Sequence, residues 1–172
     1  MTSQARILAL QGADRVGVRQ TLDDAAQRFR ARGLLVLGAV ETLPNPIDPD
    51  DVYLLDLASN ARYPLNQKLG PGAAGCSLDP QGLAGACAAV QASIAALDGS
   101  EGRTLVILSK FGRQEAEGRG LTDAFHAAVL ADLPILTSVS PAVAAAWAQF
   151  AGPLARFAGM SPDEIDAWFD GI

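Results

Sequence analysis

Groups able to do acid–base or nucleophilic chemistry are scarce in this chain of 172 residues: one histidine (His126), two lysines (Lys68 and Lys110) and two cysteines (Cys76 and Cys87). Catalysis that needs several His or Lys is excluded, and so are a disulfide framework and a Cys/His zinc pattern. Positive charge is also in the minority, with 13 Lys plus Arg against 19 Asp plus Glu and a net charge of −6. That balance excludes a strongly cationic nucleic-acid binder while leaving room for a local basic patch. No apolar run approaches the length of a membrane span, and Met1 to Ala9 has no long apolar stretch of the kind a secretory signal needs. The expectation is a cytoplasmic protein with neither nucleic acid nor membrane as partner. Its 49% apolar content and its length suit one domain over residues 1–172, burying about two-thirds of its unfolded surface.

The apolar residues alternate between short continuous runs and helical periodicities. Ile7–Leu10, Leu34–Val40, Thr104–Leu108 and Pro134–Val139 read as four strands buried on both faces. Thr21–Arg32 carries Leu22, Ala25, Ala26 and Phe29 at helical spacing and stops at Gly33. Asp79-Pro80 opens a helix to about Leu97, and Leu121–Leu130 a short one. Ser140-Pro141 starts a helix to Phe150, and Ser161 with Glu164 has capping-box spacing for a last helix ending near Phe169. Val52–Leu57 and Arg62–Leu65 around Ala58–Ala61 suggest a small β-hairpin. The predicted class is α/β: three layers, a mostly parallel sheet flanked by helices, with a hairpin insertion.

Ligands of open parallel sheets bind beyond the carboxyl ends of the strands. The first loop there, Gly12-Ala-Asp-Arg15-Val-Gly17, has the two glycines of a phosphate-binding loop between a strand and a helix. Val18 and Arg19 stand where a lysine and a magnesium-holding hydroxyl would follow. An anion near the helix start would still find Arg15 and Arg19, opposed by Asp14, and a plain βα turn explains the same glycines. The second loop, Ser109–Gly120, places one of the two lysines, Lys110, where the sheet opens. A solvated loop of internal ion pairs is the simpler explanation of its alternating charges. Gly70–Ser77 is a glycine-rich stretch within a long connection that can fold over the same crevice.

Lys110-Phe-Gly-Arg-Gln-Glu-Ala-Glu-Gly-Arg-Gly-Leu121, with Gly70-Pro-Gly-Ala-Ala-Gly-Cys-Ser-Leu-Asp79 upstream, resembles a bacterial domain family of unknown function, number 2478. The resemblance covers nearly the whole chain. That family in turn resembles small P-loop nucleoside-triphosphatases, among them accessory proteins of molybdopterin-guanine-dinucleotide synthesis. Leu105–Glu115 is similar to their strand and following loop: Gly112 and Glu115 match, Arg113 replaces a lysine, and Ser109 and Lys110 replace two acids. The resemblance implies a P-loop fold without the parts that neutralise phosphoryl-transfer charge. It also implies a setting in molybdenum or related cofactor metabolism.

The first functional reading is therefore a non-catalytic or weakly catalytic protein that binds a small anion or nucleotide-like ligand. Its candidate ligand-binding residues are Gly12, Arg15, Gly17, Arg19, Gly72, Gly75, Cys76, Lys110, Gly112 and Arg113. A second reading is an enzyme acting on phosphate compounds, with Glu115 or Glu117 as general base and Lys110 or Arg113 as clamp. A third is a homo-oligomeric interaction or regulatory module using the aromatic C-terminal segment with Trp147, Phe150, Phe157, Trp168 and Phe169. No metal site is expected, since Asp48, Asp50 and Asp51 read most simply as a solvated loop. The cofactor, if there is one, stays unknown at this level. Cys76 before a helix start is either a thiol of lowered pKa or a packing residue. Cys87 reads as core, and His126 as a surface or capping residue.

Overall fold

A computed structural model describes residues 4–11, 14–42, 45–48, 50–67 and 78–172. Strand β1 (Ile7–Leu10) leads into α1 (Arg15–Ala31) and β2 (Leu35–Glu41), followed by the hairpin strands β3 (Tyr53–Asp56) and β4 (Arg62–Pro64). Next come α2 (Pro80–Ala95), β5 (Thr104–Phe111), the single turn α3 (Arg113–Ala116), α4 (Thr122–Leu130) and β6 (Ile135–Val139). The chain ends with α5 (Ala144–Ala151), β7 (Ala155–Ala158) and α6 (Pro162–Asp170). The strands form one sheet in the order β4-β3-β2-β5-β6-β1-β7. β2, β5, β6, β1 and β7 are parallel, and the β3–β4 hairpin extends the β2 edge in antiparallel pairing.

Each continuous apolar run is explained by this layering, because successive side chains point into two different cores. Leu8, Leu10, Val36, Val40, Leu105 and Ile107 meet Leu22, Ala26 and Phe29 of α1 and Ile165, Trp168 and Phe169 of α6. Their neighbours Ile7, Ala9, Leu37, Val106 and Leu108 meet Leu83, Val90 and Ile94 of α2, Phe125 of α4 and Trp147 of α5. The aromatic residues near the C-terminus thus divide between the two faces. Phe169 packs on Phe29 at 4.9 Å between ring centroids, while Trp147 and Phe150 each lie 5.0 Å from Phe111. Among the described residues, no helix is long and apolar enough to cross a membrane, and no cluster of three potential metal ligands occurs.

The structure departs from the sequence reading at several places, among them the helical turn α3 inside the expected loop Ser109–Gly120 and a 3-10 turn, Pro141–Val143, ahead of α5. Helix α1 begins at Arg15, six residues before Thr21, because Asp14 caps it by accepting from the Val16 amide at 3.1 Å. Strand β5 runs on to Phe111, whose ring is buried among Phe125, Trp147 and Phe150, so part of the expected loop is sheet. Strand β7 was not expected: four residues (Ala-Arg-Phe-Ala) pair only with β1 and leave two side chains exposed, too short for a periodic signal. The capping box at Ser161 does not form. Its hydroxyl makes no cap bond, and Glu164 instead accepts from the Gly159 amide at 3.2 Å and faces Arg156 at 3.4 Å.

Candidate functional site

At the carboxyl edge of the sheet, two adjoining cavities of about 350 and 500 Å³ form one crevice. Arg15, Arg19, Glu41, Ser109, Lys110, Ser140 and Ala142 line both. The ends of β1, β5 and β6 bring Leu10, Ser109 and Ser138 to the first cavity, and the opening turns of α1 add Arg15, Val18 and Arg19. The second cavity lies toward the hairpin. Val52, Leu54, Leu65, Leu83, Leu121 and Val143 make its walls apolar, and Arg113, Gln114 and Glu115 give it a polar side.

Glu41, the last residue of β2, organises the charges. One of its oxygens is ion-paired with Arg19 and the other lies 3.7 Å from the Lys110 ammonium. Its side chain is only 9% exposed. A carboxylate so enclosed is costly without partners, and Arg19 and Lys110 supply them at the end of an apolar strand. With Arg15 added, three cations face one carboxylate across the first cavity. The patch is therefore positive within a chain of net charge −6. Glu41 was not singled out from the sequence; the only signal was an acid closing the run Leu34–Val40 where that strand reaches the carboxyl edge.

Of the expected ligand-binding residues, the structure brings Arg15, Arg19, Lys110, Gly112 and Arg113 to the crevice. Gly12, Gly72, Gly75 and Cys76 lie outside the described residues. Gly17 falls inside α1, where a Cβ would come within 2.5 Å of the Asp14 carboxylate, so its smallness is needed for the cap. Val18 is buried at 8% exposure, and its position supplies apolar wall where a phosphate loop would have an ammonium.

Glu115 is buried at 6% exposure and clasps the loop around it. It accepts from the Gly112 amide at 3.0 Å and the Leu121 amide at 2.9 Å. Burial pushes its carboxyl up from the ordinary glutamate range, and the two amides and Lys110 pull the other way without cancelling it. Gly120 completes the clasp. Its φ is +61°, and a Cβ there would stand 2.2 Å from a Glu115 oxygen. Glu117, the other candidate base, is ion-paired with Arg119 and lines neither cavity. His126 is exposed and stacks on Phe150 at 5.3 Å, away from the crevice. Cys87 is buried against α4, and burial raises its thiol pKa, the reverse of an activated cysteine.

The family described as "Protein of unknown function (DUF2478)" matches residues 7–168. The molybdenum import ATP-binding protein ModC 2 of Bradyrhizobium diazoefficiens is 36% identical over 115 residues, which cover 67% of this chain. The same segment is 12% of that relative's length. Among solved structures, THEP1 from the hyperthermophile Aquifex aeolicus superimposes with a TM-score of 0.68 over 96% of this chain and 95% of its own, at 10% identity. At that identity the likeness is one of fold, the P-loop NTPase fold.

Proposed function

The chain belongs to the DUF2478 family, and on that footing we propose that its crevice binds a small oxyanion or the phosphate end of a nucleotide-like ligand without hydrolysing it. The observation that carries this reading is the convergence of Arg15, Arg19 and Lys110 on one cavity that, among the described residues, holds a single carboxylate. Cations gathered at the carboxyl edge of a parallel sheet attract an anion by charge and orient it by their N–H groups. Two features support the absence of hydrolysis. Val18 is core, and Ser109 and Lys110 lie near the end of β5, where a hydrolase of this fold would use acids to hold magnesium and activate water. Catalysis through Glu115 or Glu117 has less support, since Glu115 already holds two amides and Glu117 is turned to Arg119 outside the crevice.

The likeness to a molybdenum import ATP-binding protein supports a nucleotide-like ligand and a setting in molybdenum or related cofactor metabolism. Calorimetric titration with ATP, GTP, phosphate, sulfate and molybdate at low salt tests the reading. Heat from at least one of them is expected, with no phosphate released from the nucleotides. No heat from any at millimolar concentration contradicts it.

A further inference from the structure

Beside the cations, two largely buried serines line the first cavity. Ser109 is 4% exposed and Ser138 is 6% exposed, and both line the cavity. Parallel pairing of Leu108 with Thr137 carries β5 and β6 to this edge together, and Ser109 and Ser138 are the residues that follow. Their neighbour Thr137 shows what a buried hydroxyl here ordinarily does: it donates to the Leu108 carbonyl at 2.6 Å. The Ser109 and Ser138 hydroxyls have no such partner among the described residues. Both serines border open volume flanked by cations. Each is a donor available to a ligand oxygen.

Glu41 adds the discriminating element. Arg19 and Lys110 each engage one of its oxygens, which leaves further lone pairs on a carboxylate that lines the same cavity. An acceptor placed there repels an anion that presents only acceptors, and welcomes one that carries a proton to donate. Resting on the anion-binding reading above, the geometry points to a tetrahedral oxyanion bearing a hydroxyl, the hydrogen phosphate group, with Ser109 and Ser138 donating hydrogen bonds to it and Glu41 accepting a hydrogen bond from its hydroxyl. Fully deprotonated oxyanions of the same shape, sulfate and molybdate, are disfavoured by the same carboxylate. Free phosphate and a singly protonated phosphate monoester share this chemistry.

Titration near neutral pH with phosphate, arsenate, sulfate and molybdate tests the assignment on the native protein. Phosphate and arsenate, which both keep a proton, bind about tenfold or more tightly than sulfate and molybdate, the size expected for one charge-assisted hydrogen bond. Methyl phosphate, titrated just below its second ionisation, separates the two sources: binding equal to phosphate admits a monoester, and markedly weaker binding restricts the site to the free ion. In Glu41→Gln the preference of phosphate over sulfate collapses toward equality. In Ser109→Ala/Ser138→Ala, phosphate affinity drops about tenfold while the melting temperature is retained. Equal binding of phosphate and sulfate by the native protein overturns the inference and leaves the anion-binding reading standing. An unchanged phosphate affinity in the double serine variant also overturns it. No binding of any of the four anions, or of ATP, overturns both.

Discussion

Two turns at the carboxyl edge of the sheet solve the same problem with different acids. After β1, Asp14 accepts from the Val16 amide and caps α1 from an exposed position. After β5, the buried Glu115 accepts from the Gly112 and Leu121 amides and fixes the loop between α3 and α4. In both turns a carboxylate of the chain itself takes backbone donors of the kind a bound phosphate uses at helix starts. Among the described residues, the side-chain donors lining the first cavity are Arg15, Arg19, Lys110, Ser109, Ser138 and Ser140. The two acids differ in what surrounds them, and burial should make one of them far more consequential than the other.

Removing Glu115 should have the largest effect. Glu115→Ala leaves two buried amides without acceptors, a loss of about 2–4 kcal/mol in denaturant unfolding. A stability within a few tenths of a kcal/mol of the native protein would break the clasp account. Glu115 also sets a pH signature. Burial holds its carboxyl above the ordinary range in the folded protein, so between those two values the folded state retains a proton the unfolded state has lost. Its contribution to stability is therefore complete at low pH and falls as pH rises through that window. The difference in unfolding free energy between the native protein and Glu115→Gln should slope downward from the ordinary glutamate range upward, and a flat difference would contradict the assignment.

Asp14→Ala sharpens the comparison from the other side. Losing an exposed N-cap costs about 1 kcal/mol, measured by the same unfolding experiment. Removing its negative charge from the start of α1 should also strengthen anion binding a few-fold at low salt, an effect that added salt erases. A loss as large as that of Glu115→Ala would make the two turns equivalent. The smallest effect is expected at Glu117→Gln, whose exposed pairing with Arg119 contributes at most about 1 kcal/mol and whose loss should leave ligand affinity unchanged.

The same contrast explains what the sequence could and could not reveal. Leu105–Leu108 and Ile135–Val139 are legible as strands because burial on both faces demands unbroken apolar runs. The hairpin at Ala58–Ala61 is legible because its flanks are short and extended. The start of α1 is hidden: Val16 and Gly17 are weak helix formers, and this turn relies on the Asp14 cap and on packing beyond it. Glu115 stood in a charged, glycine-punctuated stretch that looks the same whether the acid serves a reaction or a fold. Only the two amides it holds decide between them. Glu41 gave still less, because its meaning lies in Arg19 and Lys110, which reach it from elements distant in sequence.

The central claim is that side-chain cations on this crevice bind an anion. Arg15→Gln/Lys110→Gln tests it most directly, since Arg19 stays to neutralise Glu41 and the fold has no cause to fail. Phosphate titrated calorimetrically into the native protein and into this variant at low salt should give heat with the first, and an affinity lower by about tenfold or more with the second. Equal heats and equal affinities in the two proteins would contradict the account.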